Sequence, residues 1–279
     1  YLKGEDNGWE NTPKVRVSVL NPGGKDIVDR EEEDFPIPRT RYKRLYLDAG
    51  ENALRECPVS LESYVGYNSD RKRSGVSFSM KMSEDTELTG YMKLRLWVSA
   101  LDHDDMDLCV VLEKRRPNGL KYKYSLGPGM DTSAKGYIRV SLRELDQEKS
   151  TEENPRQSMK QEQKLKSGEI VPVDILIWPM GLKFKKGDIL RITVSPYKTQ
   201  KMWTGPFKLK MAKITIPKEG YTYFPDDKPE MYTIGGSEMF AGSKVDTANM
   251  PKDHNKGRHR IYTGGKYDSF LYVPIIPEN

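Results

Sequence analysis

Strand-length alternation is the feature that most constrains what this chain can fold into. Val15, Val17 and Val19 are separated by Arg16 and Ser18, Leu45 and Leu47 flank Tyr46, and Val76, Phe78 and Met80 are separated by serines. Successive side chains of a pleated strand point to opposite faces, so each run predicts a half-buried strand with one face on a core. From Met92 to Val98 the residues Met92, Leu94, Leu96 and Val98 fall on one face. Met106 to Leu112 is denser in apolar residues, which predicts a central strand covered on both sides. The pattern returns at Tyr137 to Leu142, Val171 to Ile177, Ile189 to Val194, Ala212 to Ile216 and Phe270 to Val273.

Turn chemistry lies between these runs. Pro117-Asn118-Gly119, Gly127-Pro128-Gly129 and Lys186-Gly187-Asp188 supply preset or permissive backbone where the chain must reverse. About ten strands at uneven spacing, with almost no helical period, predict an all-β sandwich rather than a parallel α/β sheet. A chain of 279 residues buries a full core without a disulfide or metal staple. Two polar stretches interrupt the order. Arg143 to Glu169 is dense in Glu, Gln and Lys and is expected as a solvated excursion with a short helix near Ser158 to Lys164. Tyr221 to Arg258, rich in Gly, Pro and Asp, is expected as a long irregular loop, and such loops are functional or pinned against another domain.

Charge and cysteine usage remove several function classes. The 46 basic and 41 acidic residues are interspersed, and a net charge of +5 is too diffuse to predict a nucleic-acid partner. No apolar run approaches the roughly 20 residues a spanning helix needs, so no membrane partner is expected. Cys57 and Cys109 form no CxxC pair, which fits reduced thiols and a cytoplasmic location. The sequence opens Tyr1-Leu2-Lys3-Gly4 with no initiator Met, basic n-region or apolar h-region. It is expected to be a piece of a longer polypeptide, whose own leader, if any, lies outside it.

A hydrolase of the α/β type needs its serine on a tight turn with the pattern G-x-S-x-G. Gly235-Gly236-Ser237-Glu238-Met239 fails at its last position, and Gly242-Ser243 lacks both flanks. His103, His254 and His259 sit among polar residues, are expected on the surface, and show no third group to orient an imidazole. Asp102, Asp104 and Glu113 match positions 1, 3 and 12 of a calcium loop, but Met106 and Asp107 occupy positions 5 and 6, where a ligand and a glycine are required. No metal or other cofactor is expected. Mutual repulsion among Asp102, Asp104, Asp105 and Asp107 favours turning one carboxylate inward. Asp107, at the start of the densest strand, is the expected structural residue, with Arg139 as its partner. Trp97 and Trp178 lie in strands and are expected between sheets, whereas Trp203, in a loop, is expected to contact a ligand or a neighbouring domain.

Several segments share the order of a known family. Leu88-Thr89-Gly90, the strand to Ser99, Asp107-Leu108, Val110-Val111-Leu112 and Pro117-Asn118-Gly119 follow one another as L-x-G, S, D-L, V-x-L and P-x-G. Gly136 to Arg143 reads G-Y-I-R-V-S-L-R, Lys186 to Ser195 reads K-G-D-I-L-R-I-T-V-S, and the last strand runs Ser269 to Pro277 as S-F-L-Y-V-P-I-I-P. In these segments the chain resembles the C-terminal domain of the X-prolyl dipeptidyl peptidase and cocaine-esterase-like hydrolases, the CocE/NonD group. Tyr1 to Gly8 resembles the end of the last helix of that family's hydrolase domain. The resemblance implies that residues 1–12 are a remnant of the hydrolase domain and residues 13–279 a galactose-binding-like jelly roll.

It also implies an α/β-hydrolase domain in the same parent chain, which acylates its serine and cleaves X-Pro peptides, esters or amides. The family's Ser, Asp and His all lie upstream, so the resemblance places no catalytic residue here. Tyr197, Trp203 and the loop from Tyr221 would form a substrate rim or domain interface. Asp188 stands where many relatives have His. A homo-oligomer is left open. A reading from another class, a stand-alone carbohydrate- or partner-binding jelly roll, fits the same strands.

Overall fold

A computed structural model describes residues 4, 8–71, 74–122, 133–196 and 256–277. The Gly127 turn, the Ala212 to Ile216 run, Tyr197, Trp203, Ser237, His254 and most of the loop from Tyr221 lie outside them. The described residues form strands with two single-turn 3₁₀ segments. In chain order the strands are β1 (Val15–Val19), β2 (Ile27–Glu32), β3 (Arg41–Asp48), β4 (Ala53–Arg55), β5 (Ser63–Asn68), β6 (Val76–Lys81) and β7 (Thr86–Ala100). They continue with β8 (Asp107–Arg115), β9 (Ala134–Arg139), β10 (Val171–Phe184), β11 (Ile189–Ser195), β12 (Arg258–Thr263) and β13 (Phe270–Ile276). No helix among the described residues is long and apolar enough to cross a membrane.

Pairing divides the strands into two layers. One layer runs β9-β8-β11-β6. The other runs β10-β7-β13-β3-β4, with β12 beside the end of β7 and β5 outside β12. The layers touch through one residue pair on each side, Ile177–Gly136 and Ala53–Ser79, so hydrogen bonding closes a flattened ring. The seam at Gly136 demands glycine, because a Cβ there would lie 2.5 Å from the Leu176 carbonyl oxygen. Outside the ring, β1 and β2 form an antiparallel ribbon held by an isolated bridge between Leu20 and Leu182.

The alternation supplies the core. Phe78, Leu108, Val110, Leu112, Leu190, Ile192 and Val194 face inward from the first layer. Leu45, Leu47, Met92, Leu94, Leu96, Val98, Ile175, Leu271 and Val273 meet them from the second. Each such side chain contributes about 1.5–3 kcal/mol by leaving water. Strand β8 is central, between β9 and β11, but its outer residues Cys109 and Val111 are only half-buried. The expected cover on both of its sides is therefore present on one.

Two expectations about the polar stretches change. Residues 143–169 contain no helix. Their donors are taken by the sandwich instead, Gln163 N–H to the Ser141 carbonyl, Leu165 N–H to Asp104 and Gly168 N–H to Ala100, and Leu165 is buried in the core. The strand expected to run to Leu142 stops at Arg139, and Val140–Leu142 coils into a 3₁₀ turn, because the Asp105 carboxylate captures the Ser141 N–H at 2.9 Å.

Candidate domain interface

The acidic turn before β8 is a junction at which three distant segments are tied down. The Asp102 carboxylate accepts the backbone N–H of Arg258 at 2.7 Å and its guanidinium at 2.7 Å. The hydrogen bond from Arg258 is the main reason the Asp102 carboxyl is held down to about 2. Asp105 is fully buried and accepts N–H groups of Met106 and Ser141, each at 2.9 Å, and the Lys164 ammonium at 3.1 Å. Asp107 lies across from Arg139 in the β8–β9 register and accepts its Nε at 2.9 Å. Sequence reasoning named Asp107 and Arg139 but not Asp105, whose signal is its place beside the buried Met106. Glu113 has moved away into β8, where Arg115 meets it at 2.6 Å. Among the described residues no three metal-ligating side chains converge.

A second buried network sits at another corner. Lys114, with 1% of its side chain exposed, meets Asp188 at 3.1 Å and Asn21 Oδ1 at 3.1 Å. Tyr122 donates its hydroxyl to Asp188 at 2.7 Å, and the Lys185 N–H reaches the other carboxylate oxygen at 2.8 Å. Burial pulls the Lys114 ammonium below the ordinary lysine range against the opposing pull of Asp188. Asp188 is thus the counter-charge of a buried lysine.

His259 is not on the surface. It is 1% exposed in β12, between β5 and β7, because it shares a strand face with the core residue Ile261. Its ring meets Tyr67 edge-on at 5.2 Å, and among the described residues neither ring nitrogen has a hydrogen-bond partner. Burial pushes its pKa down to about 4, overriding the nearby Asp107, Asp102 and Asp70. His103, Asp104 and Cys57 lie toward solvent.

The tryptophans also depart from expectation. Trp178 is 66% exposed, since its neighbour Ile177 takes the inward position. Trp97 is half-buried on the outer face, where its Nε1 donates to Asp268 at 2.8 Å and its ring meets Tyr267 at 5.6 Å. That face continues through Tyr262 and Tyr267 at 5.3 Å, Tyr64 and Tyr262 at 5.7 Å, and Tyr42 and Tyr272 at 4.8 Å.

Residues 7–272 match the X-Pro dipeptidyl-peptidase C-terminal non-catalytic domain. The chain belongs to that family. Two crystal structures of a CocE/NonD family hydrolase from Staphylococcus aureus resemble this C-terminal domain at 34% and 33% identity, with TM-scores of 0.75 and 0.76. Each comparison covers 99% of this chain and 44% of the hydrolase, so the domain spans less than half the length of that relative. An aminopeptidase from a marine sediment archaeon of the Thaumarchaeota shares the fold at 14% identity and a TM-score of 0.56, over 89% of this chain and 39% of its own. A comparison with curated protein sequences finds no match.

Proposed function

We propose that this chain is the C-terminal jelly roll of a serine hydrolase of the CocE/NonD group, an X-Pro dipeptidyl peptidase or an acyl-ester or amide hydrolase. In this reading it packs on the catalytic domain of the same parent chain and shapes the entrance to its active site. The observation that carries the proposal is that 99% of this chain corresponds to 44% of one hydrolase at 34% identity. Residues 1–12 are then the trailing end of the hydrolase domain and residues 13–279 the module. Tyr197 and Trp203 come two and eight positions in sequence after Ser195, the last residue of β11, and are assigned to the substrate rim.

The test uses the full-length parent with dipeptidyl-proline and aryl-ester substrates. Tyr197→Ala and Trp203→Ala are expected to raise KM several-fold for one substrate class, with kcat and the thermal midpoint little changed. KM values that stay at the parent's level for both classes would remove these residues from the rim. The isolated chain is expected to hydrolyse neither, for want of a G-x-S-x-G nucleophile. Turnover that survives repurification and is blocked by a serine-directed phosphonate would overturn the assignment.

A further inference from the structure

The two outer faces of the sandwich differ in chemistry. On the β9-β8-β11-β6 layer the outward positions of β6 and β11 include Ser77, Ser79, Arg191 and Thr193. Ser77 Oγ meets Thr193 Oγ1 at 2.9 Å, and Arg191 donates to Ser77 at 2.9 Å. This is the polar-out pattern of an antiparallel sheet that faces water. On the β10-β7-β13-β3 layer the corresponding positions hold Trp178, Tyr91, Trp97, Phe270, Tyr272 and Tyr42. Arg44 lies over the Phe270 ring at 4.7 Å, and Arg95 over Trp97 at 5.8 Å. Among the described residues, the buried core itself holds only Phe78 and Phe184 as aromatics. Trp97 and Trp178 thus lie on this outer face rather than inside, and Phe270 on the same layer is already buried at 3% exposure.

Trp178 stands out on that face. Ile177 pairs with Met92 and Met180 with Gly90, so Trp178 and Pro179 together oppose Tyr91 alone. Such a bulge re-aims a side chain, and here it leaves the indole 66% exposed. Tyr91 beside it is packed edge-on by Phe35 at 5.3 Å. Paired charges border the aromatic area, Arg30 with Glu87 at 2.6 Å and Arg95 with Asp174 at 2.9 Å. An aromatic centre rich in Trp, Tyr and Arg within a polar border is the anatomy of a protein interface, and Trp is the most frequent anchor at such centres.

We infer that the outer face of the β10-β7-β13-β3 layer is the seat of the catalytic part of the parent polypeptide, with Trp178 as its anchor. This rests on the hydrolase reading above. The occupant follows from length, because a relative that this chain covers over only 44% leaves more than half of such a polypeptide to be placed against the module. The other broad face sets Ser77, Ser79, Arg191 and Thr193 beside the half-buried Cys109 and Val111, and the aromatic one offers the larger apolar side chains a permanent contact needs.

Two measurements on the intact parent decide it. A serine-directed fluorophosphonate reports whether the polypeptide carrying this chain holds a reactive serine. Hydroxyl-radical footprinting reports the accessibility of Trp178 against that of Leu120, which is 60% exposed on the β8 turn. The expected result is a labelled polypeptide in which Trp178 is protected several-fold relative to Leu120, after correction for intrinsic reactivity. Trp178→Arg is expected to abolish protection at Tyr91 and to split unfolding into two transitions, whereas Leu120→Arg does neither. A labelled parent whose Trp178 is as reactive as Leu120 overturns the inference and leaves the hydrolase reading intact. Protection that vanishes on dilution to monomer assigns the face to a second copy and also overturns it. An unlabelled parent overturns the hydrolase reading, and the inference with it. Should Trp178→Arg fail to fold, the footprint of the unaltered parent still decides.

Discussion

Asp104 and Asp107 stand three positions apart in one acidic run, yet the chain treats them differently. Asp104 lies toward solvent, while Asp107 is 7% exposed and bonded to Arg139. Asp107→Ala leaves a half-buried guanidinium without its carboxylate and is expected to cost about 1–3 kcal/mol. Asp104→Ala is a surface change, expected to cost under about 0.5 kcal/mol. Denaturant midpoints of the two variants test the assignment, which fails if Asp104→Ala proves the more damaging. His259 supplies a pH prediction of definite sign. Its folded pKa of about 4 lies below the unfolded 6.5, so its neutral form belongs to the fold. Stability is fully present above pH 6.5 and falls as the unfolded state takes up a proton on the way down to 4. Between pH 7 and 5 the loss is about 2 kcal/mol. Titrating His259→Phe beside the parent sequence checks this, and equal slopes in that window would refute it. Both residues show how far single positions were legible. The place of Asp107 before an apolar strand points inward, whereas the polar neighbours of His259 point to the surface and mask its alternation with Ile261, which the fold follows.

At the scale of elements, alternation found most of the strands that carry the core but missed β4 and β12, which bring Leu54 and Ile261 into it, as well as β2 and β5. β2 has no strict period-2 pattern, β4 is three residues long, and β5 carries Gly66, so none shows a clean buried face. The helix expected near Ser158 to Lys164 failed because local composition favours a helix that tertiary hydrogen bonds outcompete. The connection between β10 and β11 illustrates what sequence could not show at all. Asp188 has an unremarkable place in a Lys-Gly-Asp turn, and only the fold brings Lys114, Asn21 and Tyr122 to it. Removing one member of a buried pair leaves an uncompensated charge, so Asp188→Ala is expected to destabilise by about 3–5 kcal/mol. Replacing both charges, Lys114→Met with Asp188→Leu, is expected to recover most of that loss. A double-mutant cycle by chemical denaturation measures the coupling, and additive single and double effects would show that the two charges do not act as a pair.

For the molecule as a whole, the all-β class and the sandwich were legible, because period-2 burial and turn residues recur along the chain. The partners of each strand were not, since any inward-facing strand can satisfy the same pattern. The structure inserts β13 between β7 and β3 and sets β12 between β7 and β5. Leu271 and Val273 thereby reach the centre of the core. Deleting residues 268–279 is expected to abolish cooperative unfolding rather than lower its midpoint, because it opens two strand edges and empties that centre. A sharp denaturant transition in the truncated chain would contradict this.

The position of β13 also bears on how the protein is made. At translation rates of roughly 5–20 residues per second, β3 and β7 leave the ribosome roughly 10–45 s before the strand that joins them. Through that interval two hydrophobic strands present unpaired edges to solvent or to a neighbouring nascent chain. Holding chaperones, slow downstream codons and dense polysomes should therefore affect the yield of this protein more than its final stability would indicate.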